Sequence, residues 1–280
     1  MTIAITGGTS GIGKAAARAF MAQGHQVILF SRSIERGEAT REEIGGSIEL
    51  IECDLASLAS IRRAAAELNA RYDVLDVLVN NAGLFTLSRY ESEDGYELQL
   101  AVNHLGHFLL TNLLLPKLHA AHEGRVVVVS SNAHHKGAIN FDDLQLERSY
   151  GGMKAYAQSK IANILFVREL ASRLGGSSVT VNALHPGAVS TNIASSRRGS
   201  QHLLRRILQA VARPFLRTPE KGAETLIYLA TSSEVAGVSG NYYDDKKPVE
   251  PSAQARDDQA AERLWRESCN LVSLDTNLCE

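Results

Sequence analysis

Tyr156 and Lys160, in the run Tyr156-Ala157-Gln158-Ser159-Lys160, are the residues whose types and spacing speak most directly of chemistry. On a helix, positions i and i+4 lie one above the other on a single face. An ammonium beside a phenol favours the phenolate, so the pair describes a tyrosine able to give or take a proton near neutral pH. The same spacing also occurs on ordinary surface helices, and alone it defines nothing. Its weight comes from three other stretches: a glycine-rich turn at 6–13, Asn80-Asn81-Ala82-Gly83, and Ser131 at the end of an apolar strand. Tyr150 and Lys154 repeat the spacing, but Gly151 and Gly152 between them argue against a helix there and so against a shared face.

These residues need elements that converge on one place. Residues 2–6 are short, apolar and β-branched, as a buried parallel strand requires. Gly7, Gly11 and Gly13 follow directly, ahead of an alanine-rich helix. Glycines there permit a tight turn and close approach of backbone to a pyrophosphate, and the helix N-terminus offers unpaired N–H groups. A second strand, 26–30, ends at Ser31-Arg32-Ser33 with no acid at 30–34. At this position an acid suits the ribose hydroxyls of NAD, whereas an arginine suits the 2′-phosphate of NADP. Arg32 therefore favours NADP(H), with Ser31 or Ser33 adding a hydroxyl donor. Strand three, 48–52, leads to Asp54, which can accept from an adenine amino group or cap the helix beginning near Leu58.

Strand four, 74–79, runs into the Asn80–Gly83 stretch, and a long helix over 94–121 carries Asn103, His104 and His107. An asparagine inside an apolar helix is unfavourable unless it makes defined hydrogen bonds. The histidines lack a supporting ligand at metal spacing, so no metal site is expected and they read as solvated or packed. Strand five, 125–129, ends at Ser130-Ser131; strand six, 179–184, runs into His185-Pro186-Gly187; a seventh strand lies at 241–243. Helices are expected at 156–174, 220–231 and 253–268. The segment 192–217 mixes arginine with Leu203, Leu204, Ile207, Leu208, Val211 and Phe215, and reads as a lid over a lipophilic substrate ahead of a helix on a membrane surface.

With 44% apolar and 21% charged residues and a net charge of −2, the chain has the composition of a globular domain and no basic footprint for nucleic acid. Its three cysteines have no metal spacing and suggest a reducing, cytoplasmic setting without a disulfide framework. No leader, membrane anchor, repeat or linker is evident. The expectation is one α/β domain over 1–280: a Rossmann-type, doubly wound parallel sheet of about seven strands with helices on both faces. The apolar faces of helices 94–121 and 156–174 suit either the core or a second copy in a homodimer.

Taken together, TGGTSGIG, Asp54-Leu55, NNAG, NHLGHF, VSS, YAQSK and HPGAVST occur in an order that resembles the short-chain dehydrogenase/reductase family over nearly the whole chain. NHLGHFLLT, SKIANILF and the long 132–152 segment resemble its retinol dehydrogenase-like branch most. The resemblance implies a catalytic tetrad of Asn103, Ser131, Tyr156 and Lys160. In it Tyr156 protonates a carbonyl oxygen as hydride arrives, Ser131 bonds the same oxygen, Lys160 holds the nicotinamide ribose and lowers the tyrosine pKa, and Asn103 holds a water. It likewise implies nucleotide contacts at Gly7, Thr9, Ser10, Gly11, Ile12, Gly13, Arg32, Asp54, Leu55, Asn81, Ala82, Gly83, Tyr156, Lys160, Pro186, Gly187, Val189 and Thr191. The expected activity is NADP(H)-dependent interconversion of an alcohol and a carbonyl on a lipophilic small molecule. Two rivals are reduction of a carbon–carbon double bond in the same cleft and a nucleotide-sensing scaffold that has lost the reaction.

Overall fold

The structure, a computed structural model, describes residues 1–187 and 217–274. Val189, Thr191 and all of the expected lid except Arg217 lie outside the described residues. β1 (Thr2–Thr6), β2 (Gln26–Ser31) and β3 (Ile48–Glu52) alternate with α1 (Gly11–Ala22), α2 (Ile34–Ile44) and α3 (Leu58–Arg71). β4 (Val77–Asn80) is followed by a short α4 (Leu98–Leu100), a π-helical turn over Ala101–Leu105 and α5 (Gly106–His119). Then come β5 (Gly124–Val129), α6 (Gly152–Arg173), β6 (Val179–His185), α7 (Pro219–Thr231), β7 (Tyr242–Asp244), β8 (Lys247–Pro248) and α8 (Asp258–Leu271).

The strands form one sheet in the order β3-β2-β1-β4-β5-β6-β7-β8, parallel except for the β7–β8 pair. The expected seven strands are thus joined by an eighth, a two-residue edge strand containing Pro248, too short and too polar to signal itself in sequence. Ile3 and Ile5 of β1 face one hydrophobic layer with α1 and α7, while Ala4 faces the other with α3, α5, α6 and α8. Burial on both faces is why the strand reads as an unbroken apolar run. β1 feeds β2 on one side while β4 lies on its other side. The strand order therefore reverses there, opening a crevice at the carboxyl ends of the strands.

Two further expectations change. The single helix over 94–121 is α4, the π-turn and α5 in succession, preceded by a bridge between Glu91 and Glu97. Cys269 is disulfide-bonded while Cys53 is free and buried, so the cysteines are not all thiols. No helix among the described residues is long and apolar enough to cross a membrane.

Candidate active site

At the carboxyl ends of the strands a cleft of about 540 Å³ opens. Its walls carry Gly7, Thr9, Ser10, Gly11, Ile12, Gly13, Arg32, Asp54, Leu55, Asn81, Ala82, Gly83, Ser131, Tyr156, Lys160, Pro186 and Gly187. Every described residue expected to touch nucleotide is therefore in one place.

The glycine turn is built for close approach. Gly7 has φ +68° and Gly11 φ +53°, both in the left-handed region. A Cβ at Gly13 would stand 2.4 Å from the Gly7 carbonyl oxygen. Helices α2, α3, α7 and α8 each receive a side-chain cap, from Ser33, Ser57, Thr218 and Asp257. α1 does not: Ser10 makes no capping bond, which leaves its first N–H groups for an anion. These features fit a dinucleotide.

The rest of the floor is tied to this turn. The Asn81 amide donates to the Thr6 carbonyl at 2.8 Å, and the Asn81 and Ala82 N–H groups donate to Thr6 Oγ1 at 3.0 Å each. Asp54 does not cap α3; Ser57 does, accepting from the Ser60 N–H. Asp54 Oδ1 instead accepts from the Ala56 N–H at 2.9 Å, shaping the Asp54–Leu55 turn in the cleft wall.

At the β2 end, Arg32 is exposed and lines the cleft beside Ser33 and Arg36. Ser31 Oγ donates to the Ser33 carbonyl at 2.8 Å, so its proton is already engaged. Ser33 Oγ accepts from the Arg36 N–H and keeps its proton free. Arg36 was not foreseen: in sequence it is one more charged residue in the exposed first turn of α2, and only the fold brings it round to the cleft.

On the opposite wall, α6 begins at Gly152 and presents Tyr156 and Lys160 one turn apart. The Lys160 ammonium lies 5.7 Å from the Tyr156 ring centroid. Ser131 lines the same cleft and acts on the Tyr156 phenol as a hydrogen-bonding neighbour that lowers it, and Phe85 meets the tyrosine ring edge-on at 5.7 Å. Ser130 also borders the cleft, but its hydroxyl is engaged, donating to the Lys160 carbonyl at 2.7 Å, which leaves the Ser131 hydroxyl as the one beside Tyr156. Lys160 Nζ donates to the Val129 carbonyl at 3.1 Å. Burial lowers the Lys160 ammonium to about 8. Burial also raises the Tyr156 phenol, opposed only by Ser131. The direction is the reverse of the lowered phenol that the family resemblance implied.

Asn103 sits fully buried in the π-turn, an element often found at functional sites. Its Oδ1 accepts from the Leu84 N–H at 2.8 Å, and its Nδ2 donates to the Leu84 carbonyl and to Ser159 Oγ at 3.0 Å each. A Cβ at Gly83 would lie 3.4 Å from Asn103 Oδ1 and 3.5 Å from Lys160 Nζ, so Asn103 and Lys160 converge behind Gly83. Tyr150 stands apart from this group. Its hydroxyl is bound to Thr86, Gln99 and Glu97 at 3.1, 2.8 and 3.2 Å, and it does not line the cleft. No cluster of potential metal ligands occurs among the described residues.

A doubly wound sheet, an open helix N-terminus at its switch point and a tyrosine–lysine pair across the cleft define a nucleotide-dependent oxidoreductase. The family model for short chain dehydrogenases matches residues 1–202, and the chain belongs to that family. Human retinol dehydrogenase 14 is 45% identical, over 98% of this chain and 86% of its own length. Human retinol dehydrogenase 13 is 43% identical, over 98% of this chain and 85% of its own. A crystal structure of an uncharacterized protein from Mycobacterium paratuberculosis superposes with a TM-score of 0.79 at 36% identity, covering 97% of this chain and 93% of that one. A candidate NAD(P)-dependent gluconate 5-dehydrogenase from Beutenbergia cavernae, with bound NADP at low occupancy, gives 0.68 at 30% identity, covering 86% and 93%. The chain is accordingly a retinol dehydrogenase-like member of that family.

Proposed function

We propose that this protein is an NADP(H)-dependent oxidoreductase that interconverts an alcohol and a carbonyl on a lipophilic small molecule, with Tyr156 moving the proton. The observation that carries the reading is that Tyr156 and Ser131 share one cleft with the uncapped N-terminus of α1 and with Arg32 and Arg36. Reduced nicotinamide supplies a hydride when bound. The protein's part is position and a proton. Ser131 Oγ is placed to bond the substrate carbonyl oxygen, and the Tyr156 hydroxyl to protonate it as it gains negative charge. A phenol raised by burial is fully protonated at neutral pH, the state that reduction requires. Lys160 stands beside the phenolate that this step leaves, and Asn103 holds the Gly83–Leu84 backbone in place. The edge of Phe85 beside Tyr156 and the retinol dehydrogenase relatives support an apolar substrate.

The two arginines and the free Ser33 hydroxyl support NADP(H) over NAD(H), as does the absence of a carboxylate at 30–34. A charge-assisted hydrogen bond contributes about 1.5–3 kcal/mol, or roughly 10- to 150-fold in affinity. Direct titration should show wild type preferring NADPH to NADH by at least that order. Arg32→Ala should weaken NADPH while leaving NADH nearly unchanged, and Arg36→Ala should do so to a smaller degree. Equal wild-type affinity for the two nucleotides refutes the assignment. Turnover of a panel of retinoid, steroid and aromatic carbonyls with NADPH should give alcohols; a saturated ketone as the product would move the reading to double-bond reduction.

A further inference from the structure

His107 belongs to neither the tetrad nor the nucleotide contacts, yet it lies between them. Its ring is 1% exposed in the first turn of α5. Nδ1 lies 3.2 Å from the carbonyl oxygen of Asn103, and Nε2 lies 2.9 Å from Thr6 Oγ1. A carbonyl only accepts, so Nδ1 carries the proton. Burial, opposed by the bond to Asn103 and reinforced by the charge on Lys160, holds the ring to about 4, so it is neutral at physiological pH. Nε2 is then an acceptor, and the Thr6 hydroxyl must donate to it. The alternative acceptor for that hydroxyl, the Val79 carbonyl, is farther away at 3.4 Å. Because the hydroxyl's proton points at His107, its oxygen is free to receive both N–H groups of Asn81 and Ala82.

We infer that His107, held as the Nδ1–H tautomer, is a positioning residue that sets the distance between Asn103 and the Asn81–Ala82 floor by gripping Asn103 on one side and Thr6 on the other. One ring thus joins the proton-transfer side of the cleft to its nucleotide side. A hydrophobic side chain of equal size would fill the space and join nothing. The inference rests on the reading of the cleft as a nucleotide-dependent reductase site.

Two substitutions separate the two grips. His107→Asn can keep a donor near the Asn103 carbonyl but cannot reach Thr6. His107→Gln can keep an acceptor toward Thr6 but offers nothing at the Nδ1 position. Losing one neutral buried bond corresponds to about tenfold or less. His107→Asn should weaken NADPH, measured by fluorescence titration, by about tenfold with kcat within about threefold of wild type. His107→Gln should lower kcat by about tenfold with NADPH affinity within about threefold. Nitrogen-15 spectra of the wild-type histidines should show one ring with a protonated Nδ1 and an unprotonated Nε2 that does not titrate between pH 6 and 9. In Thr6→Val that Nε2 resonance should move, since its donor is gone. An Nε2–H tautomer overturns the inference. So do variants that lower only the melting temperature, leaving kcat and affinity per folded molecule unchanged, or that change both in equal proportion. Failure of every carbonyl with wild type would sink the reductase reading, while the spectra and the NADPH titration still decide the tautomer and the Thr6 grip.

Discussion

At the scale of single residues, Lys160 is the group whose environment has the most measurable consequences. Its ordinary value is 10.5 and burial holds it near 8, so the folded chain binds this proton less tightly than the unfolded chain. The cost is fully present below about 8 and is lifted as pH rises toward 10.5; a shift of this size corresponds to roughly 3 kcal/mol. Wild type should therefore gain stability between pH 8 and 10 relative to Lys160→Met, compared by thermal unfolding at both values. At pH 7 the methionine variant should melt no lower than wild type, because Asn163 still donates to the Val129 carbonyl at 3.2 Å. It should nevertheless lose nearly all turnover. A melting temperature several degrees lower would mean that the ammonium is a structural tie. Catalysis should respond at the same group: reductive kcat/KM should fall as pH rises through about 8, when Lys160 loses its charge while the raised Tyr156 phenol still keeps its proton. A profile flat to pH 9.5 would remove Lys160 from the proton step.

At the scale of elements, the π-turn over Ala101–Leu105 controls where Asn103 points, and Gly106 controls how closely that turn approaches the nucleotide wall. A Cβ at Gly106 would lie 2.8 Å from the Leu55 carbonyl oxygen and 3.2 Å from that of Ala101. Both are backbone atoms, so relief requires an element to shift, and overpacking of this kind costs about 1–3 kcal/mol. Gly106→Ala should leave the chain folded by circular dichroism, weaken NADPH binding and lower kcat together; unchanged kinetics would mean that the α5–Leu55 contact is slack. The sequence announced the glycine loop and Tyr156 because close backbone approach and i,i+4 spacing leave few alternatives. It did not announce the π-turn. One extra residue per turn over five positions barely changes an apolar pattern, and 94–121 reads as a plain helix. Asp54 and Ser57 are both good capping residues, and nothing short of backbone geometry selects Ser57. In sequence His107 reads only as a solvated or packed helical histidine and not as a link, because its partners lie 101 and 4 residues away.

At the scale of the whole molecule, α8 packs on the apolar faces of α5 and α6. Trp265 packs edge-on to Phe108 at 4.9 Å and stacks on Phe166 at 6.0 Å, with the Arg173 guanidinium 4.6 Å above it. Ser268 bonds His104 Nε2 at 2.8 Å, and Arg62 holds the Val272 and Ser273 carbonyls at 2.7 and 2.9 Å. The part of the α5 and α6 surface around Phe108 and Phe166 is thus covered by the chain's own α8. Removing a buried tryptophan typically costs about 3–5 kcal/mol. Trp265→Ala should therefore lower the denaturation midpoint strongly and expose the Phe108–Phe166 face, read as increased dye binding or self-association. An unaltered midpoint would mean that α8 is only loosely laid on the domain.

The central claim is that Tyr156, and not the equally spaced Tyr150, moves the proton. It is tested most directly by preparing Tyr156→Phe and Tyr150→Phe side by side and measuring NADPH affinity and single-turnover carbonyl reduction on each. Tyr156→Phe should bind NADPH within a few-fold of wild type and reduce at least about a thousandfold more slowly, as loss of a general acid and its oxyanion bond would require. Tyr150→Phe should stay within about tenfold, its hydroxyl being committed to Thr86, Gln99 and Glu97. Normal turnover in Tyr156→Phe, or an abolished step in Tyr150→Phe with binding intact, would contradict the account.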